Sequence, residues 1–355
     1  MSFLFIGTTG DRAGHSLMTW AVARGLADRG LSVGFIKPFG TDPIHIEGLW
    51  TDRDAFLFKK VLNLQEPLNR ICPYLLSDET WRQEGVEEIL EKIKSLAQEL
   101  STKDILLIMG SKHIFFDNAA YPISDISIVS ELKADFVLVD RYQKTSSLIY
   151  SILSVSSILK DRIKGVIVNR VPPGKLVEIR DQIIPSLVKK GIQITAALPE
   201  DPVLSFRSLR EIREVLNGEV LCGRENLGRT VGGMTVGSSD LWGELLALKR
   251  LYNKIILLEP FSPERGITET PVHRPIAGIL LTGGRNPAPQ VLRVAKKANI
   301  PLILLKDDTF AAVERLEQFA PTLSPKDEYK VRHLTELMDR DGAFDRLFQS
   351  LGLIP

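Results

Sequence analysis

The order of apolar and amphipathic segments predicts an α/β protein: a doubly wound, mostly parallel sheet followed by a second, smaller α/β domain. Three observations carry that expectation. Short, β-branched apolar runs alternate with helix-length amphipathic stretches through residues 1–200. Several of these runs are apolar on both faces, as strands covered by helices on each side must be. The alternation then stops at Leu198-Pro199-Glu200-Asp201-Pro202, and a glycine-rich patch opens a different pattern.

Phe3–Ile6 is the first strand candidate. The helix expected over Ser16–Arg29 follows, with Met18, Val22, Gly25 and Leu26 on one face. Further strands are expected at Ser32–Ile36, Ile105–Met109, Phe136–Val139, Gly165–Val168 and Ile192–Ala196. Helices are expected between them at Val86–Leu100, Thr145–Leu159 and Leu176–Lys190. Such alternation makes right-handed crossovers, and the loops beyond the carboxyl ends of the strands then form the ligand crevice. A polar connecting helix is expected at Arg207–Leu216, and the glycine-rich patch runs from Gly228 to Met234. Apolar runs at Ile255–Leu258, Ile276–Leu281 and Leu302–Leu305 follow, with helical patterns at Ala288–Ala298, Thr309–Phe319 and Lys330–Met338. Pro260–Pro275 reads as an exposed loop. The expected boundaries are 1–205 for the first domain, 206–217 for the connecting helix and 218–355 for the second domain.

The chain has 355 residues and a formal net charge of +1. That balance excludes a chain-wide basic field for nucleic acid or for a membrane surface. Cys72 and Cys222 match no metal-ligand spacing and read as buried thiols in a reducing compartment. No run approaches the roughly eighteen apolar residues of a membrane span, and Phe3–Ile6 is too short for a signal peptide. The expectation is a cytoplasmic protein with neither nucleic-acid nor membrane partners.

The chemistry lies in four loops. Gly7-Thr8-Thr9-Gly10-Asp11-Arg12-Ala13-Gly14-His15-Ser16 joins the first strand to the first helix, where backbone N–H groups and a helix N-terminus face an anion. The phosphate-loop pattern G-x-x-x-x-G-K-S/T asks for glycine at 9 and lysine at 15, and this chain has Thr9 and His15. Gly10, Gly14 and Ser16 could still cradle phosphate, with the Ser16 hydroxyl available to magnesium. Equally, Gly7, Gly10 and Gly14 could simply make a tight turn. His15 offers one hydrogen bond but no permanent charge at neutral pH. Lys37 ends the second strand and either replaces the missing loop lysine or snorkels at the surface. Asp52 and Asp54 supply a magnesium ligand and a helix cap, or capping alone. Met109 stands where a nucleotide enzyme often keeps an acid, and Asp104 lies at the wrong end of that strand. Asn169 suits an adenine edge or a turn.

Taken in order, Gly7–Ser16, Phe35-Ile36-Lys37-Pro38, Asp54, Gly165–Pro172 and Leu198-Pro199 resemble the dethiobiotin synthetase-like P-loop domain. The version is similar to the one at the N-terminus of long bacterial phosphotransacetylases. Gly228-Arg229-Thr230 with Met234-Thr235-Val236, Leu281-Thr282-Gly283-Gly284 and Lys306-Asp307-Asp308-Thr309 resemble the DRTGG domain that follows it there. The resemblance implies a P-loop NTPase-like fold, with ATP or ADP and Mg2+ as cofactors. It implies Gly10, Gly14 and Ser16 around phosphate, Lys37 towards the terminal phosphate, Asp54 on the metal, and Asn169 on the base; His15 beside them could bond the phosphate, and Ser16 could also meet the metal. His15 and Met109 depart from the dethiobiotin synthetase pattern. Long phosphotransacetylases continue into an acetyl-transfer domain, so their activity is not carried over to a chain ending at Pro355. Two function classes are expected. One is a nucleotide-binding regulatory or assembly protein with little or no turnover, homo-oligomeric and able to take a metabolic enzyme as partner. The alternative is an ATP-dependent ligase of the dethiobiotin synthetase type, in which Lys37 would be the catalytic residue.

Overall fold

The computed structural model describes residues 2–10, 12–77, 84–100, 103–111, 113–115, 123–205, 207–236, 255–260, 276–318 and 322–353. They form two compact units, one made of 1–201 with 323–355 and the other of 202–322.

The first unit is built on a six-stranded sheet. Its strands are β1 (Ser2–Thr8), β2 (Val33–Ile36), β5 (Ile105–Met109), β6 (Asp135–Arg141), β7 (Ile163–Val171) and β8 (Ile194–Pro199). A two-stranded hairpin, β3 (Pro43–Ile46) and β4 (Leu49–Asp52), lies outside it. The sheet order is β8-β7-β6-β1-β5-β2, and every pair is parallel. Parallel strands need coverage on both faces, and the sequence supplies it. Leu4, Phe5 and Ile6 of β1 are all buried although neighbours in a strand point to opposite faces. Phe5 joins the layer formed by α3 (Val86–Glu99), α4 (Asp125–Leu132) and α5 (Thr145–Leu159).

Helix α1 (His15–Ala27) is buried more widely than its predicted face, since Trp20, Ala21 and Ala23 join Met18, Val22, Gly25 and Leu26. The cause is a return of the chain. Helices α9 (Glu328–Arg340) and α10 (Ala343–Ser350) pack in this first unit, whereas 323–355 was expected in the second domain. Their amphipathic faces bury Val331, Leu334, Met338, Phe344, Leu347 and Phe348. The absence of a side chain at Gly25 lets the Phe344 ring approach α1, where a Cβ would stand 2.9 Å from it. Arg24 pairs with Glu328 at 2.9 Å and Arg29 with Asp345 at 3.0 Å, and the Arg29 guanidinium lies 4.5 Å from the Phe348 ring centre.

Two sequence expectations differ locally. The helix expected over Leu176–Lys190 is interrupted by a π turn at Ile179–Ile183, next to Pro185, which has no N–H to continue an α-helical ladder. The β3–β4 hairpin was not foreseen. It turns on Glu47 and Gly48, both at positive φ.

The second unit has a mixed six-stranded sheet. Its strands are β9 (Arg207–Ser208), β10 (Glu219–Cys222), β11 (Thr230–Val236), β12 (Ile255–Pro260), β13 (Gly278–Leu281) and β14 (Leu302–Leu304). The order is β9-β11-β12-β13-β14-β10, with β13–β14 the parallel pair. Helix α6 (Leu209–Val215), the core of the expected connecting helix, belongs to this unit and starts at a Ser208–Glu211 capping box. It packs on one face of the sheet with α8 (Thr309–Gln318), while Val291 and Ala295 of α7 (Pro289–Lys297) pack on the other. Most of the loop expected over Pro260–Pro275 lies outside the described residues. Among the described residues no helix is long and apolar enough to cross a membrane.

The packing of α10 on α1 gives a stability test. Gly25→Val is expected to cost about 1–3 kcal/mol by overpacking, and Phe344→Ala about 3–5 kcal/mol by leaving a cavity. Urea unfolding reads both. Unchanged midpoints for the two variants would contradict the contact.

Candidate functional site

The loop after β1 is shaped by two constraints at Gly14. Its backbone is left-handed, at φ 85°, and it starts α1 without any side-chain cap. A Cβ there would also stand 2.7 Å from Asn169 Nδ2. Thr9, where the phosphate-loop pattern has glycine, donates to Asp140 Oδ1 at 2.8 Å and so ties the loop to the end of β6.

Lys37 does not snorkel. It is 1% exposed, and its Nζ donates to Asp52 Oδ1 at 2.9 Å and to Asp54 Oδ2 at 2.7 Å. The two aspartates have separate tasks. Asp52 caps α2 (Arg53–Val61) by accepting from the N–H groups of Asp54 and Ala55, and also accepts from those of Thr41 and Asp42. Asp54 instead faces the phosphate loop, where the Ser16 hydroxyl and the charge of His15 act on its carboxyl. Burial pushes the Asp54 carboxyl up, but the Lys37 charge, then His15, and the bonds from Lys37 and Ser16 outweigh it and hold it below its ordinary range. Burial works equally against the Lys37 ammonium, yet the charges of Asp54 and then Asp52 raise its pKa above that of an ordinary lysine. His15, Ser16, Lys37 and Asp54 are therefore brought together as their sequence positions suggested.

One acid was missed by sequence reasoning. Asp125, the first residue of α4, is 2% exposed and occupies the space beside Gly110, where a Cβ would collide with its Oδ2. It accepts from the Ser111 N–H at 2.9 Å. A carboxylate thus sits past the end of β5 although Met109 cannot supply one. Burial pushes this carboxyl up to about 7, against the Ser111 bonds and the Lys37 charge. The capping residue Ser124 marks the helix start in the sequence, but nothing there indicates that the first turn faces the crevice.

Asn169 braces the loop. Its Nδ2 donates to Ala13 O at 2.8 Å, and its Oδ1 accepts from the Arg170 N–H at 2.9 Å. Contact with a base requires those bonds to exchange. Asn169 pairs in register with Arg141 of β6, and Arg170 beside it is held at φ 55°. Burial lowers the Arg170 pKa, and the charges of Arg141 and Arg12 lower it further, against Glu200. The guanidinium groups of Arg141 and Arg12 therefore act on that of Arg170 at this end of the sheet, a repulsion that an anion relieves.

Two variants test the electrostatics. Lys37→Met leaves Asp52 and Asp54 buried without their cation and is expected to cost about 3–5 kcal/mol of stability. Asp125 holds its proton more tightly folded than unfolded, because its native carboxyl titrates at about 7 and the ordinary value is 3.8. Its contribution to stability is therefore lost as pH rises through that window. Asp125→Asn is expected to flatten the decline in urea midpoint between those values. An unchanged slope would contradict a buried titrating carboxyl.

The AAA domain family matches residues 3–208, and the DRTGG domain matches residues 211–319. The chain is 25% identical over 373 residues to the phosphate acetyltransferase of Synechocystis sp., covering 99% of this chain and 52% of that protein. It is 23% identical over 206 residues to the ATP-dependent dethiobiotin synthetase BioD of Thermodesulfovibrio yellowstonii, covering 54% of this chain and 84% of that protein. The chain spans about half the length of several phosphate acetyltransferases that it matches. The septum site-determining protein MinD of Pyrococcus horikoshii, solved as a complex with Mg-ADP, aligns over 57% of this chain and 83% of its own at 16% identity and a TM-score of 0.36. A P-loop-like crevice at the end of a parallel sheet, with the family match over residues 3–208, makes this chain a member of the AAA domain family that carries a DRTGG domain behind it.

Proposed function

We propose that the chain binds an adenine nucleotide with magnesium in the crevice formed by Gly10, Gly14, His15, Ser16, Lys37 and Asp54, and acts as a regulatory or assembly protein with little or no turnover. The observation that carries this reading is Asp54, which joins Lys37 to Ser16 and His15 at the mouth of an uncapped helix. A hydroxyl and a carboxylate within hydrogen-bonding reach are hard oxygen donors and suit magnesium. Ser16 and Asp54 would hold the ion, which supplies charge neutralisation for phosphate. The guanidinium groups of Arg12, Arg141 and Arg170 and the N-terminus of α1 supply further positive potential. Asn169 lies beside the loop as a contact for the base after exchange of its present bonds.

Slow turnover follows from where the charges are spent. His15 replaces the loop lysine, and the Lys37 ammonium is committed to two carboxylates. Phosphoryl transfer depends on cations preorganised on the transferring group. The second reading, an ATP-dependent ligase of the dethiobiotin synthetase type, is favoured by one observation, the acid that Asp125 supplies past β5. A cytoplasmic setting, a homo-oligomer held through the second unit and a metabolic enzyme as partner complete the proposal.

Calorimetry of the full chain with ATP, ADP and GTP, with and without magnesium, tests it. Magnesium-dependent binding of an adenine nucleotide is expected, strengthened in His15→Lys and weakened in Asp54→Ala. No binding at millimolar nucleotide would end the nucleotide reading. Turnover at about one per second or faster, the range of ordinary enzymes, would favour the ligase. Sedimentation with and without Mg-ADP tests assembly, and a monomer under both conditions would remove that part.

A further inference from the structure

A cavity of about 250 Å³ opens on the other side of the phosphate loop from Lys37. β6 flanks β1 there, whereas β2, which leads into Lys37, lies beyond β5 on the opposite side. The cavity is lined by Thr9, Gly10, Phe115, Asp140, Arg141 and Tyr150 among others, so it shares Gly10 and Arg141 with the edge of the nucleotide crevice.

Asp140 is the unusual group in this wall. It is 7% exposed, and its Oδ1 accepts from the Thr9 hydroxyl at 2.8 Å, which in turn accepts from the Ser151 hydroxyl at 2.9 Å. Its Oδ2 is buried and has no hydrogen-bond partner of good geometry among the described residues. Asp140 forms no ion pair among those residues; the Ser151 and Thr9 hydroxyl groups, the Arg141 N–H and the charge of His113 act on it, and its burial outweighs them. Burying a charge without a counter-charge is costly, and an orphaned acceptor adds the loss of its hydration. A hydroxyl ligand would satisfy the acceptor but leave the charge. A cationic N–H donor satisfies both. Apolar surface is also at hand, since Phe115 and Tyr150 are exposed by 38% and 75%. The volume lies below the common range of pockets for drug-sized ligands, about 300–1,000 Å³, and so limits the occupant to a small molecule.

We propose that this cavity is a second ligand site, adjoining the nucleotide crevice, for a small primary ammonium compound whose N–H donates to Asp140 Oδ2 and whose apolar body lies against Phe115 and Tyr150. Thr9 belongs to both the cavity wall and the phosphate loop, so occupancy acts on the loop through the Thr9–Asp140 bond. Any effect of the amine on nucleotide affinity must be matched by an equal effect of nucleotide on amine affinity.

The probe is 2-phenylethylammonium chloride, titrated into the full chain by calorimetry and saturation-transfer NMR. The neutral 2-phenylethanol and the anionic 3-phenylpropanoate serve as controls. The ammonium compound alone is expected to bind. Asp140→Asn is expected to weaken it about tenfold or more, the value of a hydrogen bond to a charged group. Tyr150→Ala, at an exposed position that does not threaten folding, is expected to weaken it several-fold. Saturating Mg-ADP is expected to leave the ammonium compound bound. No binding of the ammonium compound, equal binding of 2-phenylethanol, or unchanged affinity in Tyr150→Ala would overturn the proposal. Displacement by Mg-ADP would overturn it too, by placing the amine in the nucleotide crevice. The proposal does not depend on nucleotide binding, because amine binding is read without nucleotide.

Discussion

The burial of one ammonium between two carboxylates organises the crevice. Lys37 Nζ is removed from water together with Asp52, and Asp54 is nearly so. A desolvated lysine persists as a cation only where opposite charges and hydrogen bonds replace its hydration. That requirement fixes the end of β2, the end of β4 and the first turn of α2 relative to one another. Asp52 extends the constraint by collecting backbone N–H groups from Thr41, Asp42, Asp54 and Ala55. Asp54 brings a carboxyl to the phosphate loop, beside Ser16 and His15.

The charges around the loop are divided. On the β2 and β5 side stand Asp52, Asp54 and Asp125 around a single lysine, an excess of negative charge that suits a divalent cation. On the β6 and β7 side stand Arg141 and Arg170, with Arg12 from the loop itself, three guanidinium groups against the carboxyls of Asp140 and Glu200. On the proposed reading, a metal–nucleotide complex would place its cation and its phosphates on these two sides. Thr9 explains part of the departure from the phosphate-loop pattern, since its hydroxyl has a partner in Asp140 that glycine could not have.

Much of the fold was legible because its strands are continuous apolar runs and its helices have a periodic face. Ile105–Met109 is buried at every position, and a run of that kind has few other structures open to it. The placement of α9 and α10 was not legible. Amphipathic helices announce that they will be buried, and not against which partner, and the face that receives them depends on the small residue Gly25. At the site, the loop, Lys37, Asp54 and Asn169 could be found because each lies at the carboxyl end of a strand or starts a helix. Asp125 could not, since its position depends on the path between β5 and α4. The choice between a snorkelling and a buried Lys37 also escaped the sequence. It turns on whether Asp52 and Asp54 fold back within hydrogen-bonding distance, which is a tertiary fact.

The most direct measurement is NMR of the Lys37 ammonium in protein labelled with 15N-lysine, assigned by its loss in Lys37→Arg. The Nζ is expected to remain protonated through the pH at which ordinary lysines titrate, about 10.4, and to shift when Mg-ADP is added. An Nζ that titrates with the surface lysines would contradict the buried ion cluster. An Nζ that stays protonated but ignores Mg-ADP would contradict its place in a nucleotide site.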